Sequence, residues 1–220
     1  MTAEYAQAPT LFTDDRDSLP TRLTAADAAR TRRSVRAYRD APVSDDEIRT
    51  LLALTGRAPS AFNLQPWRFV VVRSQTEKNA LRNAAHGQKQ VSDAPAVIAI
   101  YADMDDTLAN LGDIVHPDHT PEKRASTVAM LQKTFGSMTA EARAVWANAQ
   151  ANIALGYLLL IAHAEGFATS PMLGFEPDQV KALLGIPETA TVTALVALGH
   201  GANEGFRSHR HDPARIVTFR

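Results

Sequence analysis

Cysteine is absent from the 220 residues, which removes disulfide bonds, thiolate nucleophiles and Cys-ligated metal centres. Such a chain is compatible with a reducing cytoplasm, where it is expected to work. An excess of either charge is missing as well. The 23 Lys and Arg against 24 Asp and Glu leave a formal net charge of -1 at pH 7, so no global field favours nucleic acid or anionic lipid, and neither is an expected partner. Any anion site must be local. No apolar run follows a basic start: Glu4, Asp14 and Asp15 stand near the N-terminus, so a secretory signal is not expected. The most apolar stretch, Ile153 to Ala162, reads as too short to cross a bilayer. Repeats and low-complexity tracts are lacking, and so is a GxGxxG, which argues against a dinucleotide-binding doubly wound fold.

What is present reads as mixed helix and strand. Residues 1 to about 20 lack periodicity and are expected to form an N-terminal arm. Residues 21 to 220 are expected to form a single domain. Thr24-Ala-Ala-Asp27 predicts a helix start, with the helix running through the basic segment and leaving it at Val35. Ser44 with Glu47 makes a clearer capping box for a helix through Ile48, Leu51 and Leu54 that stops at Gly56. Strands are expected at Phe69 to Val72, Ala96 to Tyr101, Thr191 to Leu198 and Ile216 to Phe219, and helices at Thr76 to Ala85 and Pro177 to Leu184. Asp103 to Pro121 is rich in turn formers. Helical stretches at Glu122 to Phe135 and Ala140 to Glu165 follow, so that about 103 to 145 reads as a helical excursion. With no regular βαβ series, an α+β fold with a mixed or antiparallel sheet flanked by helices is expected.

Two segments carry chemistry. Arg30 to Arg36 gathers guanidiniums and the Ser34 hydroxyl where helix gives way to extended chain, a geometry in which forked donors can converge on a phosphate monoester. A solvated basic face and a nucleic-acid patch are the other readings, the latter weakened by the lack of an aromatic platform nearby. The second segment, Ala58 to Trp67, is a Pro-punctuated loop that presents Ser60, Asn63 and Gln65 just before a strand and can offer amide donors and acceptors to a heterocycle. Trp67 and Phe69 are expected in the core. His116 and His119 lack a third ligand at recognisable spacing, so no metal is expected there, and His163 is expected to be packed or interfacial.

Arg-Arg-Ser-Val-Arg at 32 to 36, followed by Ala-Pro-Ser-Ala-Phe-Asn-Leu-Gln-Pro-Trp at 58 to 67, resembles the nitroreductase family. The likeness continues through Gly87-Gln88 ahead of Ala94-Pro95, Gly166-Phe167, Pro171-Met-Leu-Gly-Phe175, Leu184-Gly-Ile-Pro187 and Leu198-Gly199, covering about residues 24 to 220. It implies an intertwined homodimer with FMN in each of two interface clefts, NAD(P)H as co-substrate and a small-molecule acceptor. By the resemblance Arg32, Arg33 and Ser34 grip the FMN phosphate, and Arg36 lies nearer the ribityl chain and the N1 edge of the ring. Pro59, Ser60 and Asn63 approach from the other subunit, and Gln88 hydrogen-bonds around the ring. Pro171, Met172, Leu173 and Gly174 match the turn over the flavin, with a main-chain N–H of Gly174 near N5. Arg210 matches one of a C-terminal basic pair. Where a lysine often stands two residues earlier this chain has Ser208, leaving Arg207 or His209 as substitutes.

No side-chain nucleophile is then needed, since hydride passes through the flavin and a cation beside N1 stabilises the reduced form. Ping-pong turnover is expected, from NAD(P)H to a nitroaromatic or quinone. The alternatives are a flavoenzyme of the same fold carrying out reductive dehalogenation or oxidation of a small metabolite, and a non-catalytic anion or nucleic-acid binding module.

Overall fold

The structure is a computed structural model that describes residues 23–220; the expected N-terminal arm lies outside the described residues. Helix α1 (Ala25–Thr31) is opened by Thr24, whose hydroxyl accepts the Asp27 N–H at 3.1 Å. It ends at Thr31, four residues before the expected exit at Val35. The cause is a competing partner for the backbone: Val35 N–H donates to Thr169 O at 2.9 Å, and Ser34 bridges Thr169 in parallel sense. The arginines at 32, 33 and 36 therefore lie on extended chain. Helix α2 (Asp45–Thr55) carries the complete Ser44–Glu47 capping box and buries Ile48, Leu51 and Thr55 along one stripe.

Among the described residues four strands form one sheet: β1 (Trp67–Val72), β2 (Ala96–Ala102), β3 (Ala168–Met172) and β4 (Thr191–Gly199), in the spatial order β1-β2-β4-β3 with every neighbouring pair antiparallel. The central strands β2 and β4 are almost wholly apolar and buried on both faces. Strand β3, Ala-Thr-Ser-Pro-Met, was not expected from the sequence because hydroxyls and Pro171 weaken its pattern. It sits at the sheet edge, where a residue without an N–H is tolerated.

The sheet separates two cores. Ile98 and Ile100 of β2 face one of them, together with Leu51 of α2, Phe135 of α7 (Pro121–Gly136) and Leu158 of α8 (Ala140–Ala164). Val97 and Ala99 face the other, with Leu81 of α3 (Gln75–Ala84) and Val180 of α9 (Pro177–Leu184). That is the period-2 alternation of a strand with helices on both sides. Fully burying one such side chain contributes about 1.5–3 kcal/mol.

Helix α8 packs against α1, α2 and all four strands through small residues, among them Ala147, Ala151, Ala154 and Ala162. With 25 residues and a hydropathy of 1.4 over its most apolar window, it has the length and composition of a membrane span. This corrects the expectation drawn from Ile153–Ala162 alone; the helix lies along the sheet, yet only 22% of that window is buried within the chain. Between β2 and α7, where turn residues dominate the sequence, two short helices form, α5 (Met104–Ala109) and α6 (Leu111–Ile114). Asp103 caps the first by accepting the Asp106 N–H at 2.9 Å. The expected strand at Ile216–Phe219 is absent. Pro213 and the Asp212 cap, whose carboxylate accepts the Ala214 N–H at 2.8 Å, start a helical turn instead, α10 (Pro213–Ile216).

Candidate functional site

The extended strap from Arg32 to Arg36 is fastened to the sheet from below. The buried hydroxyl of Tyr38 donates to Val35 O at 2.8 Å and lies 3.3 Å from Ala197 O, and burial pushes its pKa well above that of a free phenol. Gly205 (φ 68°) crosses above the strap so closely that a Cβ there would stand 2.6 Å from Ser34 O. Only glycine fits this crossing, which carries the C-terminal segment with Arg207 and Arg210 past the strap.

Arg32 is half-buried, and its Nη1 is buried with no hydrogen-bond partner. Burial, and then the charge of Arg210, lower its pKa. Among the described residues no carboxylate pairs with either guanidinium. A buried, unbonded donor costs about 1–3 kcal/mol, and two neighbouring cations repel. An anion with several oxygens relieves both penalties at once. Among the described residues the Ser34 hydroxyl makes no hydrogen bond, whereas Arg36 is exposed.

Arg33 behaves differently. Its Nη1 pairs with Glu204 Oε2 at 2.8 Å, on a cleft of about 440 Å³ shared with Thr31, His163 and Phe167. Thr31 Oγ1 and His163 Nε2 are 2.9 Å apart. Burial, with Arg32 and Arg33 nearby, lowers the His163 pKa and favours the neutral ring.

A second cluster forms where β3 runs out. Met172 is buried, Leu173 is 71% exposed, and Gly174 follows. Gln88 Nε2 donates to Gly174 O at 2.8 Å, and Gln90 Nε2 donates to Gln88 Oε1 at 3.1 Å. Glu176 N–H donates to Ala84 O at 2.8 Å and ties the turn to the end of α3. A Cβ on Gly174 would meet His86 Cδ2 at 3.7 Å and Gln88 Nε2 at 3.8 Å, so the chain itself leaves room for one. Gln90, buried at the start of α4 (Lys89–Asp93), was missed from the sequence. The Gln-x-Gln spacing at 88 and 90 was the available signal.

The motif loop is strained. Phe62, Asn63 and Gln65 all take left-handed backbone, with φ of 56°, 57° and 45°, at a cost of about 1–2 kcal/mol each. Hydrogen bonds hold them there. Gln65 N–H donates to Ser60 Oγ at 3.0 Å, Asn63 Nδ2 to Ile114 O at 3.2 Å, and Ala61 N–H to Gln150 Oε1 at 2.9 Å. The polar groups of Ser60 and Asn63 thus shape the loop, while Pro59 and Phe62 are exposed on it. Trp67 is buried and Phe69 packs against the same core.

Strap, β3, Gly174 turn, Gln88 and the C-terminal segment gather at one edge of the sheet. The motif loop leads into β1 at the other edge, three strand spacings or about 14 Å away. One chain does not bring Pro59, Ser60 and Asn63 to Gly174. The His116 and His119 rings lie tilted to one another with centroids 5.8 Å apart, and among the described residues no group of three potential metal ligands forms.

The profile of the Nitroreductase family matches residues 29–200, which takes in the strap, the motif loop and the Gly174 turn. The chain is 49% identical over 198 residues to the NADH dehydrogenase of Thermus thermophilus, covering 90% of this chain and 97% of that protein. It is 29% identical to YodC of Bacillus subtilis, provisionally named an NAD(P)H nitroreductase, over 88% of this chain and 97% of the relative. A protein of Exiguobacterium sibiricum solved in complex with FMN superposes with a TM-score of 0.84 at 28% identity, covering 91% of this chain and 99% of the other.

Proposed function

The chain belongs to the nitroreductase family, and from that premise we propose that it is an FMN-dependent oxidoreductase that passes a hydride from NAD(P)H to nitroaromatic or quinone-like acceptors. The observation that carries the reading is the buried, unbonded Nη1 of Arg32 beside the Arg210 guanidinium. FMN, when bound, supplies the chemistry by accepting a hydride and giving it up to a second ligand.

The residues of the chain hold and orient it. Arg32, Ser34 and Arg210 take the phosphate, with Arg207 or His209 as further candidates. Arg33 joins them only by leaving Glu204. Arg36 stands towards the N1 edge, where a guanidinium stabilises added negative charge. Pro171, Met172, Leu173 and Gly174 form the turn over the ring, and Gln88 keeps it in place. No side chain acts as nucleophile. One open pocket receives NAD(P)H and acceptor in turn, which makes the kinetics ping-pong.

The enzyme works as a homodimer with the cofactor at the interface. Two features support this. Pro59, Ser60 and Asn63 lie at the far sheet edge from Gly174, so they reach a flavin there only from a second copy. Apolar side chains are left uncovered on α8 (Val145, 73% exposed; Ile153; Tyr157) and on the C-terminal segment (Phe206; Ile216; Phe219, 93% exposed), which is the surface an obligate interface buries. We read residues 21–220 as one domain of a cytoplasmic protein, with about residues 103–145, which hold α5 to α7, as its helical excursion and no nucleic-acid or membrane partner.

Purified protein tests the proposal. It is expected to be yellow, to bleach anaerobically with NADH or NADPH, and to recover colour when a quinone or nitroaromatic is added. A protein that takes up no flavin, or whose flavin neither nucleotide reduces, overturns it.

A further inference from the structure

Between α3 and α4 the chain takes two successive left-handed steps, at His86 (φ 54°) and Gly87 (φ 74°). Glycine does so freely, histidine is among the side chains enriched in that region, and hydrogen bonds close the end of α3 around the pair in a Schellman arrangement. Gly87 N–H donates to Arg82 O at 2.9 Å, Arg82 Nε donates to Gly87 O at 3.2 Å, and Gln88 N–H donates to Ala85 O at 3.1 Å.

The effect of this conformation is to lay the His86 ring against the Gly174 turn, with Cδ2 3.7 Å from the place a Cβ of residue 174 would take. The imidazole is 55% exposed, its Nε2 is 3.8 Å from Glu176 Oε1, and among the described residues neither ring nitrogen has a hydrogen-bond partner. Leu173 adds apolar surface on the same turn. The backbone conformation belongs to the capped end of α3, and the ring it leaves at the surface fills no core.

We propose that His86 is the proton donor to the acceptor. The inference rests on the flavin reading given above. An acceptor such as a quinone or an α,β-unsaturated carbonyl takes a hydride from the reduced flavin, which NAD(P)H replenishes, and is left with a negative charge on oxygen. The N–H bond of the His86 imidazolium breaks as the O–H bond of the product forms. The electron pair of the N–H bond stays on nitrogen, and the neutral ring regains its proton from water. Two electrons and one proton arrive with the hydride and one proton with the histidine, so the two-electron reduction balances. The charged groups around the ring are Glu176 at the start of α9 and Arg82 on α3, one of each sign, with exposed Lys89 opening α4.

His86→Asn is the variant of choice, because asparagine accepts left-handed backbone and keeps the turn. It is expected to hold flavin fully and to be reduced by NAD(P)H at the wild-type rate. Reoxidation by a quinone slows about a hundredfold or more, the low end for a positioned general acid. A readout independent of turnover is the binding of benzoate, as an oxyanion mimic, to the oxidised holoprotein, followed by the flavin absorption band. Wild-type holoprotein binds benzoate, and His86→Asn weakens that binding. A flavin-replete variant with wild-type reoxidation and benzoate binding overturns this inference alone. A wild-type protein that holds no flavin overturns the flavin reading and this inference with it.

Discussion

The two ends of the candidate site are built by opposite means. At the strap, Arg32 leaves a buried donor unbonded next to a second cation. At the Gly174 turn the amides are engaged: Gln90 holds Gln88, and Gln88 holds the Gly174 carbonyl. The charged end is incomplete without a ligand, and the neutral end is formed in advance. Affinity for the cofactor should therefore reside mostly at the strap, and its orientation at the turn.

Removing the charges should break the contrast most severely. Arg32→Ala with Arg210→Ala deletes two charge-assisted contacts of about 1.5–3 kcal/mol each. FMN affinity of the apo-protein, read by quenching of flavin fluorescence, should fall about 10²- to 10⁴-fold while circular dichroism stays native. Arg33→Ala sharpens the point. Its guanidinium already pairs with Glu204, an exposed partner in a pair of modest strength, so its effect should be clearly smaller than that of either other arginine. An Arg33→Ala loss as large as that of Arg32→Ala would contradict the division of labour drawn along the strap.

At the turn, Gly174→Ala separates fold from ligand. The added methyl meets only ordinary van der Waals contacts in the chain, at 3.7 and 3.8 Å, so thermal stability should hold. A ring lying on that backbone would be pushed away, at about 1–3 kcal/mol for a crowded methyl, and reduction by NAD(P)H should slow. Gln90→Leu acts one step further back. Losing its bond to Gln88 costs about 1 kcal/mol and should loosen the turn, with flavin retained and the absorption band shifted.

The smallest effect on the site should come from Ser44→Ala. The cap contributes about 0.5–2 kcal/mol to stability and touches no part of the site, so Tm drops and flavin affinity does not. It also carries a pH signature. Hydrogen bonds from the Ser44 side chain and backbone hold the Glu47 pKa below the usual carboxylate range. Because the folded value is the lower one, that stabilisation is complete above the unfolded pKa and is lost as pH falls through the folded one. The variant should show a shallower loss of stability on acidification, measured by chemical denaturation at several pH values.

Much of this was legible in the sequence. Capping boxes announced α2 and the start of α1, because a side chain that satisfies orphan N–H groups acts locally. The continuous apolar runs of β2 and β4 announced a sheet covered on both faces. What failed depended on distant partners. Helix α1 stops at Thr31 because Thr169, far along the chain, captures the Val35 N–H. Strand β3 forms because β4 offers it an edge, despite Pro171. The Arg-Arg-Ser-Val-Arg string marked the strap but not that Arg33 would turn to Glu204 while Arg32 turned to Arg210, since the alternation of an extended segment shows only once the helix end is known. Gln90 and His86 were silent for the same reason: a buried amide and a left-handed histidine acquire meaning only from the Gly174 turn they meet.

The central claim is that Arg32 and Arg210 hold the phosphate of a flavin nucleotide, and riboflavin, which lacks that phosphate, tests it most directly. Titrating apo-protein with FMN and with riboflavin should show a strong preference for FMN in the wild type, and that preference should vanish in Arg32→Ala/Arg210→Ala because both flavins then bind equally weakly. A double variant that still prefers FMN as strongly as the wild type would place the phosphate elsewhere and contradict the account.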